Sequence, residues 1–225
     1  MGEKIQLTAA DGHVLDAYRA EPQGSPRGGV VVIQEIFGVN LHIREVADGY
    51  ARQGYLAIAP ALFDRKQRGL ELGYDEDDIA VGRDIAFPLG WEGPRLDLAA
   101  AASGAKAAGK VGSVGYCWGG SLSYLCACQV DVDCAVGYYG GQITKLMDSG
   151  EEATPKVPTM LHFGTQDAGI PLADVERIRA ACPDVRVYLY EAGHGFNCDH
   201  RGSYDETACK QALERTLAFF GEHLG

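Results

Sequence analysis

Polar and apolar positions alternate near the start of the chain, and further along they give way to unbroken apolar runs separated by helical spacings. Ile5-Gln6-Leu7-Thr8 and Val14-Leu15-Asp16-Ala17-Tyr18 flank Asp11-Gly12, which predicts an opening β-hairpin with an edge strand. Val30-Val31-Val32-Ile33 is continuously apolar, the pattern of a strand buried on both faces of a parallel sheet. Asn40 can cap a helix whose Ile43, Val46, Ala47, Tyr50 and Ala51 share one face, and Gly54 ends it. Tyr55 to Ala59 is the next strand, stopped by Pro60, and completes a β-α-β unit.

Further strands are predicted at Lys110–Val114, Ala135–Tyr139, Thr159–Phe163 and Val185–Tyr190. Helices are predicted from Pro94 to near Gly109, from Gly120 to about Cys128, over Ala173–Ala181, and from about Asp205 to His223. Residues 64–90 break the pattern. Their charged stretches predict an irregular excursion with a short helix around Asp77–Phe87, either covering a binding site or forming a solvated insertion. The alternation as a whole predicts an α/β fold, one domain over residues 1–225, with a mostly parallel, doubly wound sheet flanked by helices. In such a sheet, reactive groups lie beyond the C-terminal ends of the strands.

Composition narrows the partners. The 225 residues are 46% hydrophobic and 23% charged, enough for one substantial core. A formal net charge of -11 and no basic stripe argue against nucleic acid. No apolar run reaches the roughly 20 residues needed to span a bilayer. With no secretory h-region at the start, the expected setting is the cytoplasm, without a membrane partner. The seven cysteines are odd in number and do not suggest a disulfide scaffold. Cys126, Cys128 and Cys134 lack a second closely spaced ligand pair for zinc and read as small buried hydrophobes.

The candidate chemistry lies in Gly112 to Gly120, GSVGYCWGG. Gly115-Tyr116-Cys117-Trp118-Gly119 has the spacing of the nucleophile elbow Gly-x-Ser-x-Gly, with cysteine replacing serine. A sharp strand-to-helix turn exposes the nucleophile, and the following helix aims amide donors that lower a thiol pKa and stabilise an oxyanion. The alternative is a cysteine that merely packs the core. The chain order favours the elbow: Asp167, in Gly164-Thr165-Gln166-Asp167, and His194, in Gly193-His194-Gly195, each follow a predicted strand end. His162 lies inside an apolar strand and reads as core or second to the site, and His200 as surface. No pair of histidines has the His-Glu-x-x-His spacing, so no catalytic metal is expected. The Gln34-Glu35-Ile36-Phe37-Gly38 loop offers the Ile36 amide as an oxyanion donor alongside that of Trp118. Glu35 is unexpected beside a thiolate. It either takes a proton from Cys117 when substrate arrives or is a salt-bridged structural group.

Ile33-Gln34-Glu35-Ile36-Phe37-Gly38-Val39-Asn40, Gly115-Tyr116-Cys117-Trp118-Gly119-Gly120, Ala135 to Gly140 and Gly193-His194-Gly195-Phe196 resemble the dienelactone hydrolase, or carboxymethylenebutenolidase, family over nearly the whole chain. The resemblance implies an α/β-hydrolase fold and a monomeric, cofactor-free enzyme acting on a small ester or lactone. It implies a triad of Cys117, His194 and Asp167, with Glu35 facing a poorly ionised resting thiol until substrate displaces it. It also implies two arginines that grip a substrate carboxylate. One falls on Arg65. The other position holds Cys198, and Arg201, three residues later, is the candidate replacement. Tyr138 is read either as a pocket wall or as core packing. A broader carboxylesterase or thioesterase, or a ligand-binding or redox-responsive protein, are the alternative functions.

Overall fold

The buried apolar strands meet in one sheet, and the sheet's chain order sets where the chemistry sits. The computed structural model describes residues 2–225. Its eight strands are β1 (Glu3–Thr8), β2 (Val14–Ala20), β3 (Gly29–Ile33), β4 (Leu56–Pro60), β5 (Val111–Tyr116), β6 (Cys134–Tyr138), β7 (Thr159–Gly164) and β8 (Arg186–Tyr190). Their spatial order is β1-β2-β4-β3-β5-β6-β7-β8. Only the β1–β2 and β2–β4 pairings are antiparallel. The others are parallel, so the architecture is that of an α/β hydrolase with a mixed, mostly parallel sheet.

Burial follows the sequence patterns. Every residue of β3 through β7 is buried, whereas β1 at one edge alternates and β8 at the other is largely half-exposed. A strand with neighbours and helices on both faces has no solvent side, which is why its sequence does not alternate. The helices are α1 (Leu41–Arg52), α2 (Glu76–Ala86), α3 (Glu92–Ala105), α4 (Trp118–Gln129), α5 (Ile143–Asp148), α6 (Leu172–Ala181) and α7 (Glu206–His223). Asn40 caps α1 by accepting from the Ile43 amide at 3.3 Å. Asp75 and Asp205 cap α2 and α7 in the same way, each at 2.8 Å.

Three elements differ from the sequence expectation. The α3 helix starts at Glu92, with Pro94 inside its first turn, where a missing amide donor costs nothing. The six residues of α5 are too few to display a period and were not anticipated. Helix α4 starts at Trp118 rather than Gly120, so no connecting residue separates strand from helix except Cys117. Among its residues, Trp118 to Cys128 are all buried, and Cys126, Cys128 and Cys134 are buried free thiols.

The chain leaves β3 toward β4 on one side and reaches β5 on the other, so the crevice beyond β3 and β5 is the topological switch point. Both chemical motifs end there. Cys117 has φ 56° and ψ -118°, a conformation that costs a non-glycine residue about 1–3 kcal/mol. Its amide donates to the Tyr138 carbonyl at 3.0 Å, and its carbonyl accepts from Gly120 at 2.9 Å. The turn closes tightly enough that a β-carbon on Gly115 would stand 1.8 Å from the Gly119 carbonyl oxygen. One on Gly119 would stand 2.4 Å from the carbonyls of both Ile33 and Gln34.

Gly119→Ala must therefore push the elbow away from the loop after β3. It is expected to lose about 1–3 kcal/mol of stability, read as a lowered thermal midpoint. An unchanged midpoint would show that the elbow is not held by this contact.

Candidate active site

The elbow projects Cys117 from the start of α4, the loop after β7 supplies Asp167, and the loop after β8 supplies His194. His194 Nε2 lies 3.1 Å from Cys117 Sγ, and His194 Nδ1 lies 2.7 Å from Asp167 Oδ2. Asp167 is buried, and its second oxygen accepts from the Gly169 amide at 2.8 Å, which fixes the carboxylate. The imidazole therefore has one nitrogen tied to a carboxylate and the other presented to the thiol. Tyr139, fully buried, packs against its ring with centroids 5.1 Å apart.

Electrostatics bind the group together. Burial disfavours the charged imidazole, but a Cys117 thiolate and the bond to Asp167 outweigh it and hold the His194 pKa up at about 10. This arrangement can store a thiolate–imidazolium pair and pass a proton between sulfur and nitrogen.

Ile36 and Trp118 line the same cleft, and neither backbone amide has a hydrogen-bond acceptor among the described residues. The loop that carries Ile36 is held from within: Gln34, fully buried, accepts from Leu62 N at 3.1 Å and donates to the Glu35 carbonyl at 3.2 Å. The cleft has a volume of about 570 Å³. One wall is apolar, from Ile79, Phe87 and Ile170. Arg83 on α2, Lys145 on α5 and Arg201 after β8 add three cations to a lining that also carries Asp167 and His194. The excursion over residues 64–90 thus contributes α2 to the cleft wall.

Two sequence expectations are corrected here. Arg65 is not in the cleft: its Nε and Nη2 make a bidentate pair with the buried Asp97, both at 2.7 Å, and Nη1 reaches Asp11 at 2.8 Å. It ties the hairpin turn to α3, with no donor pair left for a substrate carboxylate. Tyr138 is fully buried, and its hydroxyl bonds to Thr216 at 2.7 Å, so it is a core residue. His162 is likewise core, 2.8 Å from the Tyr190 hydroxyl and 3.1 Å from Thr216.

Arg201 does reach the site. Its Nη1 donates to Glu35 Oε1 at 3.1 Å, and the guanidinium lies over the rings of Phe37 and Tyr74. Glu35 is 1% exposed, so this ion pair sits largely out of water. The thiol is thus engaged by His194 while Glu35 is engaged by Arg201. That differs from a resting thiol turned toward the glutamate, because each group has a stronger partner of opposite charge.

Sequence reasoning missed Arg83, Lys145 and Tyr139. Arg83 follows Ile79 by one helical turn, a spacing that places both on one face, but nothing in the sequence says which face meets the cleft. The residues able to hold a metal ion do not include Cys117. They are Glu35, His42 and Cys198, and a more exposed trio of His42, Asp199 and His200.

Comparison with known proteins gives a consistent family. The sequence model of the dienelactone hydrolase family matches residues 15–224. The carboxymethylenebutenolidase of Pseudomonas putida is 36% identical over 232 residues, covering 96% of this chain and 95% of that protein. Two crystal structures share the fold. A dienelactone hydrolase-like promiscuous phosphotriesterase from metagenomic libraries superposes with a TM-score of 0.79 at 21% identity, covering 100% of this chain and 99% of the other. The dienelactone hydrolase of Anabaena variabilis ATCC 29413 gives 0.75 at 16% identity, with the same coverage.

The raised His194 pKa makes a testable prediction. An imidazolium held to about pH 10 contributes stability that is complete below its ordinary 6.5 and is lost as the pH rises through about 10. In Cys117→Ser the largest favourable cause is gone, so the His194 resonance in a ¹³C-histidine NMR titration is expected to move down toward neutral pH. An unmoved midpoint would mean that the thiol does not hold the charge on the ring.

Proposed function

The chain belongs to the dienelactone hydrolase family of ester hydrolases, and from that premise we propose that it cleaves a small, carboxylate-bearing enol lactone through a Cys117–His194–Asp167 triad. The observation that carries this reading is the unbroken hydrogen-bond chain from Sγ to the buried Asp167, at the mouth of a cleft lined by Arg83, Lys145 and Arg201. A neutral acyl ester gives such a cleft nothing to pair with, whereas a carboxylate meets the cations of Arg83, Lys145 and Arg201.

In the proposed reaction the Cys117 thiolate attacks the lactone carbonyl carbon, and the bond to the ring oxygen breaks to release an enolate. The Ile36 and Trp118 amides receive the developing oxyanion, for which they are free. The proton held on His194 is available to the departing oxygen. The neutral imidazole, its tautomer set by Asp167, then takes a proton from water, whose oxygen cleaves the cysteinyl thioester. The thiol leaves as thiolate and the pair is restored.

Glu35 takes the gating role that the family resemblance implies. A substrate carboxylate that pairs with Arg201 competes directly with Glu35 Oε1 for the same guanidinium. Substrate thereby releases Glu35 from Arg201, while the proton of the thiol stays on His194. Non-acidic esters leave the Glu35–Arg201 pair intact and forgo this step.

Cys117→Ala is expected to lower lactone hydrolysis by about 10³-fold or more, and mass spectrometry of the wild type quenched during turnover should find the acyl group on Cys117. Undiminished hydrolysis would remove the triad from the reaction. Arg83→Ala and Lys145→Ala are expected to raise KM for acidic lactones while leaving neutral esters nearly unchanged. An equal effect on both substrate classes would favour a general esterase or thioesterase instead.

A further inference from the structure

Behind the wall that carries Glu35 lies chemistry the hydrolytic reaction does not use. Glu35 follows β3, His42 lies in the first turn of α1, and Cys198 is in the loop after β8. All three are buried, and one ligand atom from each comes within 4.8 Å of the other two. Two of these side chains have unsatisfied atoms: Glu35 Oε2 and His42 Nε2 are buried and have no hydrogen-bond partner. Leaving a buried polar atom without a partner is costly, so two in one cluster call for an explanation.

The surroundings resemble the outer shell of a metal site. His42 Nδ1 is 3.4 Å from Asp199 Oδ1, leaving Nε2 as the free nitrogen. Metal-binding histidines commonly have their second nitrogen oriented by a carboxylate in this way. Glu35 Oε1 is held by Arg201, which leaves Oε2 free. From these residues we propose that Glu35, His42 and Cys198 form a binding site for a divalent cation of the zinc class, separate from the catalytic triad.

The donor set selects the ion. One imidazole, one thiolate and one carboxylate suit a borderline-soft cation and disfavour magnesium or calcium. Bond lengths of about 2.3 Å to sulfur and 2.0 Å to nitrogen put tetrahedral ligand atoms roughly 3.5 Å apart. The trio must therefore contract by at most about 1.3 Å to meet this geometry. Glu35, the Cys198 thiolate and Asp199 together offset the charge of the ion and of Arg201. Burial and the Glu35 charge push the Cys198 pKa up to about 12, so the thiol must give its proton to solvent as the metal binds. An entry route is present: His42 and Asp199 line an open cavity of about 800 Å³ together with Arg44, Glu45, Asp48 and Arg52. Occupancy would tether Glu35 and hinder its release from Arg201. That consequence rests on the role proposed above for Glu35, whereas the site itself does not.

The test is a cobalt(II) titration of full-length Cys117→Ser, which removes the competing catalytic thiol. A single equivalent should bind, produce a near-ultraviolet thiolate-to-cobalt charge-transfer band and be displaced by zinc. Binding should tighten as the pH rises. Adding Cys198→Ser should abolish the band, and adding His42→Gln should weaken binding by more than about tenfold. If the Cys198 variant does not fold, His42→Gln carries the test, with the metal-dependent rise in thermal midpoint as a second readout. The proposal is overturned if no stoichiometric band forms or if the band survives loss of Cys198. It is equally overturned if His200→Ala abolishes binding while His42→Gln leaves it unchanged, since the ion would then sit on surface groups.

Discussion

The site depends on one strained residue. Cys117 is at once the last residue after β5 and the cap position of α4, held at positive φ by hydrogen bonds to Tyr138 and Gly120. A relaxed backbone there would need a longer connection, which would carry the sulfur away from His194 and the Trp118 amide away from the cleft. The strain is offset by packing around it: β3, β5 and β6 are buried along their whole length, and α4 is buried almost all round. The strained turn survives because moving it would disrupt that core.

The same packing explains why the oxyanion loop is close. Gly119 lets α4 approach the carbonyls of Ile33 and Gln34, and this contact brings the loop after β3 beside the elbow. Glu35 is carried along with it. Its carboxylate is placed in a buried position, where charge is costly, and Arg201 supplies the compensating charge from a different loop. The two loops are therefore coupled: a ligand that draws Arg201 away also changes what Glu35 can do. If the buried Glu35–His42–Cys198 cluster takes an ion, a second ligand acts on the same carboxylate from the opposite side.

The cations of the cleft come from elements outside the Cys117–His194–Asp167 group. Arg83 and Lys145 come from α2 and α5, the two helices with the least regular sequence context, and they give a chain of net charge -11 a locally basic cleft. Whole-chain charge governs long-range encounter, while local cations set the field inside the cleft. Arg65 belongs instead to structure, pinning the hairpin turn to α3 through Asp11 and Asp97.

The sequence by itself determined the alternation of strands and helices, the elbow, and the order Cys117, Asp167, His194. These are local facts: apolar runs, cap residues such as Asn40 and glycines at a turn report directly on backbone conformation. Tertiary structure alone decided which cations face substrate, because Arg65, Arg83 and Arg201 are chemically alike and differ only in the partners that folding brings to them. It also decided that Tyr138, the last residue of β6, bonds to Thr216 in the core while Tyr139, just past the strand end at φ 38°, packs against His194, since only the assembled loops bring those partners to each ring. His42 and Cys198 stand far apart in sequence and have no motif, and only the convergence of α1 with the loop after β8 places them beside Glu35.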